Sequence, residues 1–356
     1  MIPEQIKAHT GLRGCAALCV FIYHLHWDTW FPFGFTKLLT CLSSWAGIAV
    51  DLFFILSGFI LCHVYSNKLI WSQYAASRFA RIFPLSIAVC VFCIALDAYS
   101  YFRYGIPSEN LEWRRIISNI LNLQSWYGNA VGNSINPPSW SISVECFLYL
   151  ATFPLLIIFS KSNRIKWSLI LFVGIAGMCA MPIIESFISS NFTPLARGVF
   201  GFSIGFSISR LRMLLPNPES KKLNLIGFFS IVLFLCLVMF KQLGSWVIYP
   251  LISLLVWFSS YNGTFFSKML GMPLFEWLGE RSYSIYLIHH PLIVFIFRLV
   301  LYPYQTSSGY PMQIVFITHL LILFATFILA EFSYRYFELP IRDMIKNIFK
   351  IKKTGH

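Results

Sequence analysis

Charge is scarce in this sequence. Asp, Glu, Lys and Arg supply 12% of its 356 residues, where soluble domains carry about 25%. Long polar stretches are absent too, which leaves no room for a large soluble domain between the apolar runs. No charged, apolar and small-residue cleavage pattern precedes the first run, so no removable leader is expected. No internal repeat or low-complexity segment stands out. Nine cysteines are present, but no second pair accompanies Cys90 and Cys93. Their C-x-x-C spacing falls inside an apolar run, where cysteine acts as a small hydrophobe, so neither a metal nor a redox role is expected. No serine sits in a G-x-S-x-G setting, the usual sign of a serine nucleophile.

What the chain has instead is hydrophobicity. Apolar residues make up 57% of it, and the mean hydropathy is +0.69. Apolar runs of about 20 residues recur along the whole length, the pattern of transmembrane helices. The expected fold is all-α, a polytopic membrane helix bundle. About ten spans are read, at 11–30, 44–65, 82–101, 141–160, 168–188, 195–211, 223–241, 244–260, 283–301 and 314–335. Residues 1–340 would form the membrane domain and 341–356 a basic tail.

The formal net charge of +13 follows this topology. Twenty of the 27 Lys and Arg fall on alternate connections together with both termini, and six on the other side. The positive-inside rule then puts both termini in the cytoplasm. The excess needs no nucleic-acid partner; membrane lipids suffice, with "KNIFKIKK" lying against an anionic leaflet.

The longest connection on the outer side, about 102–140, contains "NLQSWYGNAVGNSINPPSW". Trp126 and Trp140 suit a membrane interface. Asn, Gln and aromatic rings also suit sugars, through hydrogen bonds to hydroxyls and stacking on ring faces. Both readings stand.

Ionisable groups inside spans are costly and mark function. His24, Asp51 and Glu145 are expected at similar depth toward the outer face, where an imidazole beside carboxylates can act as general base. Arg13, His63, Arg78, Arg81, Arg281, His289 and His290 are expected nearer the cytoplasmic face, a cationic layer suited to phosphate. A membrane histidine also serves as an interhelical hydrogen-bonding group, and intramembrane charge also marks proton-coupled transporters. The residues alone leave enzyme and carrier open, although no paired halves with broken helices, as carriers often show, are visible.

Six motifs in order resolve more. These are "LRGCAALCVFIYH", with Arg13 and His24 eleven apart, "AVDLFFILSGFIL", "RFARIFPL", "SWSISVECFLYL", "LGERSYSIYLIHHPL" and "YRYFELPIR". Together they resemble membrane-bound acyltransferase family 3, the O-acetyltransferases of bacterial surface glycans. The resemblance covers nearly the whole chain. It departs at Cys146, where relatives often carry another acidic or polar residue, and at His290, where they often carry Trp.

The resemblance implies transfer of an acetyl group from acetyl-CoA to a sugar hydroxyl of a polysaccharide or lipid-linked glycan at a bacterial inner membrane. It makes Arg13 and His24 essential and matches Asp51 and Glu145 to characteristic acidic positions; the mechanism expected from these residues has His24 as base or acyl carrier and Asp51 or Glu145 orienting it. Arg78 and Arg81, with Arg13 and His289, would hold the CoA donor. Trp140, Ser141, Ser143 and Trp126 would contact the acceptor or its oxyanion. No metal is implied, and a second copy of the chain is an admissible partner. Some relatives append a secreted esterase-like domain; none is expected here.

Overall fold

Backbone polar groups in lipid must be satisfied within the chain, and for apolar runs of this length the helix does so. The computed structural model describes residues 6–26, 45–66, 69–105, 107–127, 132–159, 164–187, 192–215, 219–240, 245–298 and 311–349. Among these there are helices and no strand.

The helices run in chain order α1 (Lys7–His24), α2 (Ala46–Tyr65), α3 (Trp71–Tyr104), α4 (Trp113–Ile120), α5 (Pro137–Ile158), α6 (Arg164–Cys179) and α7 (Met181–Phe187). They continue with α8 (Thr193–Leu214), α9 (Ser220–Phe240), α10 (Ser245–Ser259), α11 (Phe265–Leu270), α12 (Pro273–Glu280), α13 (Ser282–Ile296) and α14 (Met312–Ile348). Among the described residues α2, α3, α5 and α14 are long and apolar enough to cross a membrane. Two carry a π-helical turn, Leu148–Thr152 in α5 and Tyr334–Glu338 in α14. Such turns admit an extra residue and recur at functional sites.

The expected spans are helical but their limits differ. The run at 82–101 belongs to a helix that begins at Trp71, so Arg78 and Arg81 are intrahelical, not in a connection. "SQYAASRFAR" is rich in good helix formers and holds no breaker before Pro84, which the helix accommodates. The run at 168–188 is split at Ala180, just before Pro182. The last helix outlasts its apolar run and continues through residue 340 to Ile348. Positions 27–30 and 299–301, part of the long connection at 128–131, Lys37, Lys68, Lys161, Lys241 and the tail from 350 lie outside the described residues.

Close approach of backbones sets the packing around α2. Gly201 and Gly205 of α8 lie in a G-x-x-x-G pattern, the small-residue spacing that lets membrane helices touch. A Cβ at Gly205 would collide with the Ile55 carbonyl, and one at Gly58 with the Phe202 carbonyl. The interlocked core around them includes Ile55, Leu56, Phe59, Ile204 and Ile208. On the other flank α1 packs against α12, α13 and α2.

The long connection folds inward. Asn119, Asn122, Gln124, Ser125 and Asn136 are buried. Asn122 donates to Ser86 Oγ at 3.0 Å, and Asn136 donates to the Leu287 carbonyl at 3.0 Å. Gln124 donates to Ser139 O at 3.1 Å. These amides pin the connection against α3, α5 and α13. Burial commits the N–H groups of these amides to the protein, not to a sugar.

Candidate functional site

Three groupings of polar side chains lie inside the bundle. The first lines a cavity of about 70 Å³ among α1, α2, α3, α5 and α13. Arg13, Arg78 and Arg81 line it together with Ser57, Glu145 and Tyr149, and with Ser141, Tyr283 and Tyr286. Arg78 lies over the Tyr65 and Tyr149 rings, 5.9 and 5.6 Å from their centroids. Arg81 lies 5.1 Å from the Tyr283 centroid, and its Nη1 is 3.8 Å from Glu338 in the π turn of α14. Among the described residues Arg13 forms no hydrogen bond or ion pair, and Arg78 has no carboxylate within ion-pair distance. Glu145 accepts from Ser57 Oγ at 2.8 Å and from Tyr149 O–H, one helical turn on. Cationic forks outnumber acids here, and the tyrosine rings hold the guanidinium planes by cation–π attraction. The lining fits an anion bearing phosphate oxygens.

The second grouping is a pair of histidines. His24 Nδ1 is 2.9 Å from the Val20 carbonyl and 3.2 Å from His289 Nε2. His289 is fully buried, its Nδ1 2.9 Å from the Ile285 carbonyl. The His290 ring meets His24 edge-on with centroids 5.5 Å apart. Tyr286 connects this pair to the cavity: it lines the cavity, and its ring centroid is 6.1 Å from that of His289. On α1 itself, eleven residues return the helix to within about 20° of the same face after about 16 Å. Arg13 and His24 therefore look along one side of α1, one into the cavity and the other beyond it.

The third grouping is a buried ion pair. Asp51 is fully buried and accepts from Arg197 Nη2 at 2.9 Å, Arg197 Nε at 3.1 Å and Tyr249 O–H at 2.8 Å. Arg197 also donates to the Gly47 carbonyl at 3.0 Å and lies over the Trp140 ring. These contacts tie α2, α8, α5 and α10 together. Among the described residues no three His, Cys, Asp or Glu side chains gather as metal ligands.

The family model described as "Acyltransferase domain" matches residues 7–331. The chain belongs to the acyltransferase 3 family. It is similar to the peptidoglycan O-acetyltransferase OatA of Listeria monocytogenes, at 25% identity over 95% of this chain and 56% of that protein. It is similar to the O-acetyltransferase OatA of Staphylococcus aureus, at 26% identity over 96% of this chain and 58% of that protein. The acyltransferase MdmB of Streptomyces mycarofaciens is 32% identical over 56% of this chain and 51% of that protein. The chain thus spans little more than half the length of these curated relatives. No solved structure matches it.

Within this acyltransferase 3 chain the expected site divides. Arg13, Arg78, Arg81, Glu145 and Ser141 come together at the cavity. His289 does not join the arginines. It lies eight residues beyond Arg281, two helical turns, and packs against His24. Arg281 is occupied by Glu280, at 2.8 Å, and by Glu331. Among the described residues neither Asp51 nor Glu145 makes a hydrogen bond to His24; each is held by other partners. Ser143 is fully buried and its Oγ accepts from Ser125 N–H at 3.1 Å, while Trp126 Nε1 donates to the Ser143 carbonyl at 3.0 Å. Both are spent holding the long connection on α5. Trp140 packs on Phe54 and Arg197.

Sequence reasoning missed Ser57, Tyr149, Tyr283, Tyr286 and Arg197. Tyr149 carried a signal, standing four residues after Glu145 on a helix. Arg197, inside the run at 195–211, has nothing in the sequence that joins it to Asp51.

Proposed function

We propose that this chain is a membrane O-acyltransferase that moves an acetyl group from acetyl-CoA to a glycan hydroxyl. The observation that carries the reading is an arginine-lined cavity whose wall residue Tyr286 packs on His289, the partner of a histidine whose second nitrogen is left available. Family membership and the names of the OatA relatives support it. The Listeria relative's name makes peptidoglycan the first acceptor to test; other surface or lipid-linked glycans follow. The family match also favours transferase over carrier.

In this reading about ten spans cross a bacterial inner membrane with both termini in the cytoplasm. Arg78, Arg81 and Arg13 bind the phosphates of CoA from that side. The separation of about 16 Å along α1 is comparable to the pantetheine arm, which brings the thioester toward His24. His24 takes the proton of the acceptor hydroxyl, whose oxygen bonds to the thioester carbonyl carbon. The carbon–sulfur bond breaks, and His24 returns its proton to the departing thiolate. General-base action is worth about 10²–10⁴-fold.

The test supplies acetyl-labelled acetyl-CoA to inverted membrane vesicles with and without glycan extract, comparing the wild type with His24→Ala at matched folded abundance. Label on glycan in the wild type alone supports the reaction and the base. Equal label in both removes His24 from the chemistry. No label in either, with a competent acceptor confirmed, overturns the acetyl-CoA reading.

A further inference from the structure

Proton accounting in the histidine pair leads to a role for the second member. A peptide carbonyl accepts hydrogen bonds and donates none. His289 Nδ1 faces the Ile285 carbonyl at 2.9 Å, so that nitrogen carries the hydrogen. In a neutral His289 the lone pair is then on Nε2. His24 Nδ1 faces the Val20 carbonyl at 2.9 Å and this lone pair at 3.2 Å. It therefore carries a hydrogen too, shared between the two acceptors. The opposite tautomer of His24 would set its Nδ1 lone pair against two others. With Nδ1 protonated, the lone pair of neutral His24 is on Nε2, and Nε2 is the basic atom.

We infer that His289 is a positioning residue for His24: its Nε2 accepts from His24 Nδ1–H, holding the imidazole in one tautomer and bonding more strongly to the imidazolium formed in the reaction. This rests on the proposed base role of His24. A carboxylate commonly orients a catalytic histidine and stabilises its charged form. No carboxylate does so here among the described residues. Tyr23 flanks the His24 ring on its own chain segment, with His26 beyond it against Tyr23, and His289 and His290 meet His24 from α13. The His289 Nε2 contact with His24 Nδ1, at 3.2 Å, is within hydrogen-bonding distance. A charge-assisted bond is about twice as strong as a neutral one, so the contact gains strength as His24 takes the proton.

His289→Leu and His289→Gln test this in membrane vesicles, alongside His24→Ala. Leu fills the space without an acceptor, whereas the Gln amide reaches about as far as Nε2 and offers an oxygen. Expected are a kcat lowered roughly 10–100-fold in His289→Leu, less than the about 10²–10⁴-fold of losing the general base itself, an unchanged KM for acetyl-CoA, and recovery of most of kcat in His289→Gln. Equal kcat in wild type and His289→Leu, with His24→Ala inactive, overturns the inference and spares the base. So do losses of equal size in Leu and Gln, which a packing role gives. Retained activity in His24→Ala overturns both. If His289→Leu does not fold, His289→Gln decides: near wild-type kcat supports the inference, and a loss of tenfold or more with normal abundance overturns it.

Discussion

Asp51 and Arg197 stand 146 positions apart in the chain and face each other through two nitrogen–oxygen contacts of 2.9 and 3.1 Å. The pair belongs to the frame of the bundle, with Tyr249 closing it at 2.8 Å. Removing one partner of a buried pair leaves a charge without compensation, at a cost of about 3–5 kcal/mol. Arg197→Gln is expected to lower the melting temperature in detergent sharply and to reduce folded abundance. Whatever protein survives should keep a near-normal KM for acetyl-CoA. A stable Arg197→Gln protein with a specific loss of kcat would move this pair into the chemistry.

Arg13 predicts the opposite balance. It faces the cavity and makes no hydrogen bond or ion pair among the described residues, so truncating it leaves no buried partner unpaired and should not lower stability in the way Arg197→Gln does. Arg13→Ala should instead raise the KM for acetyl-CoA at least tenfold. Arg13→Lys should recover part of that, because a point charge replaces a fork. Melting curves and initial rates on the same preparations separate the two effects.

Two glycines in the bundle differ in what surrounds them. Gly205→Ala would press a methyl group into the Ile55 carbonyl, and overpacking of this kind costs about 1–3 kcal/mol. Among the described residues a Cβ at Gly227 meets only Phe258, at 3.8 Å. Gly227→Ala should be neutral or stabilising by up to about 1 kcal/mol, from helix propensity. The melting temperature should fall in Gly205→Ala and hold or rise in Gly227→Ala.

Ser143→Ala asks whether the serine serves acceptor or fold. Its hydroxyl accepts from the Ser125 N–H at 3.1 Å, and both residues are buried. The variant leaves that N–H unsatisfied, which costs about 1–3 kcal/mol. Stability should fall while the acceptor KM holds. An unchanged melting temperature with a raised acceptor KM would return Ser143 to the binding site.

The helical class was legible from the apolar runs because lipid admits few other solutions. Helix limits were less so: α3 begins at Trp71 and α14 outlasts its hydrophobic run, since polar helix formers propagate a helix without an apolar signal. Arg13, Arg78, Arg81 and Glu145 were read as site residues, and they share one cavity. His289 was assigned to the wrong partners because sequence gives depth along a helix but not which neighbour fills the same depth. Asp51 shows the same limit: a carboxylate within an apolar run announces a partner without saying whether that partner is a histidine or an arginine far along the chain.

The π turn at Leu148–Thr152 separates two kinds of work within one helix. An extra residue shifts the phase of everything beyond it by about 100°. Before the turn, Glu145 looks into the cavity; after it, Phe153 is fully buried in the apolar core, stacked on Tyr74 with ring centroids 4.6 Å apart. Deleting a single residue there would restore regular winding and force a choice of register, so that either the carboxylate or the phenyl ring kept its place. The irregular turn thus acts as a phase adapter, and α5 answers to two surroundings that one uniform helix could not serve together.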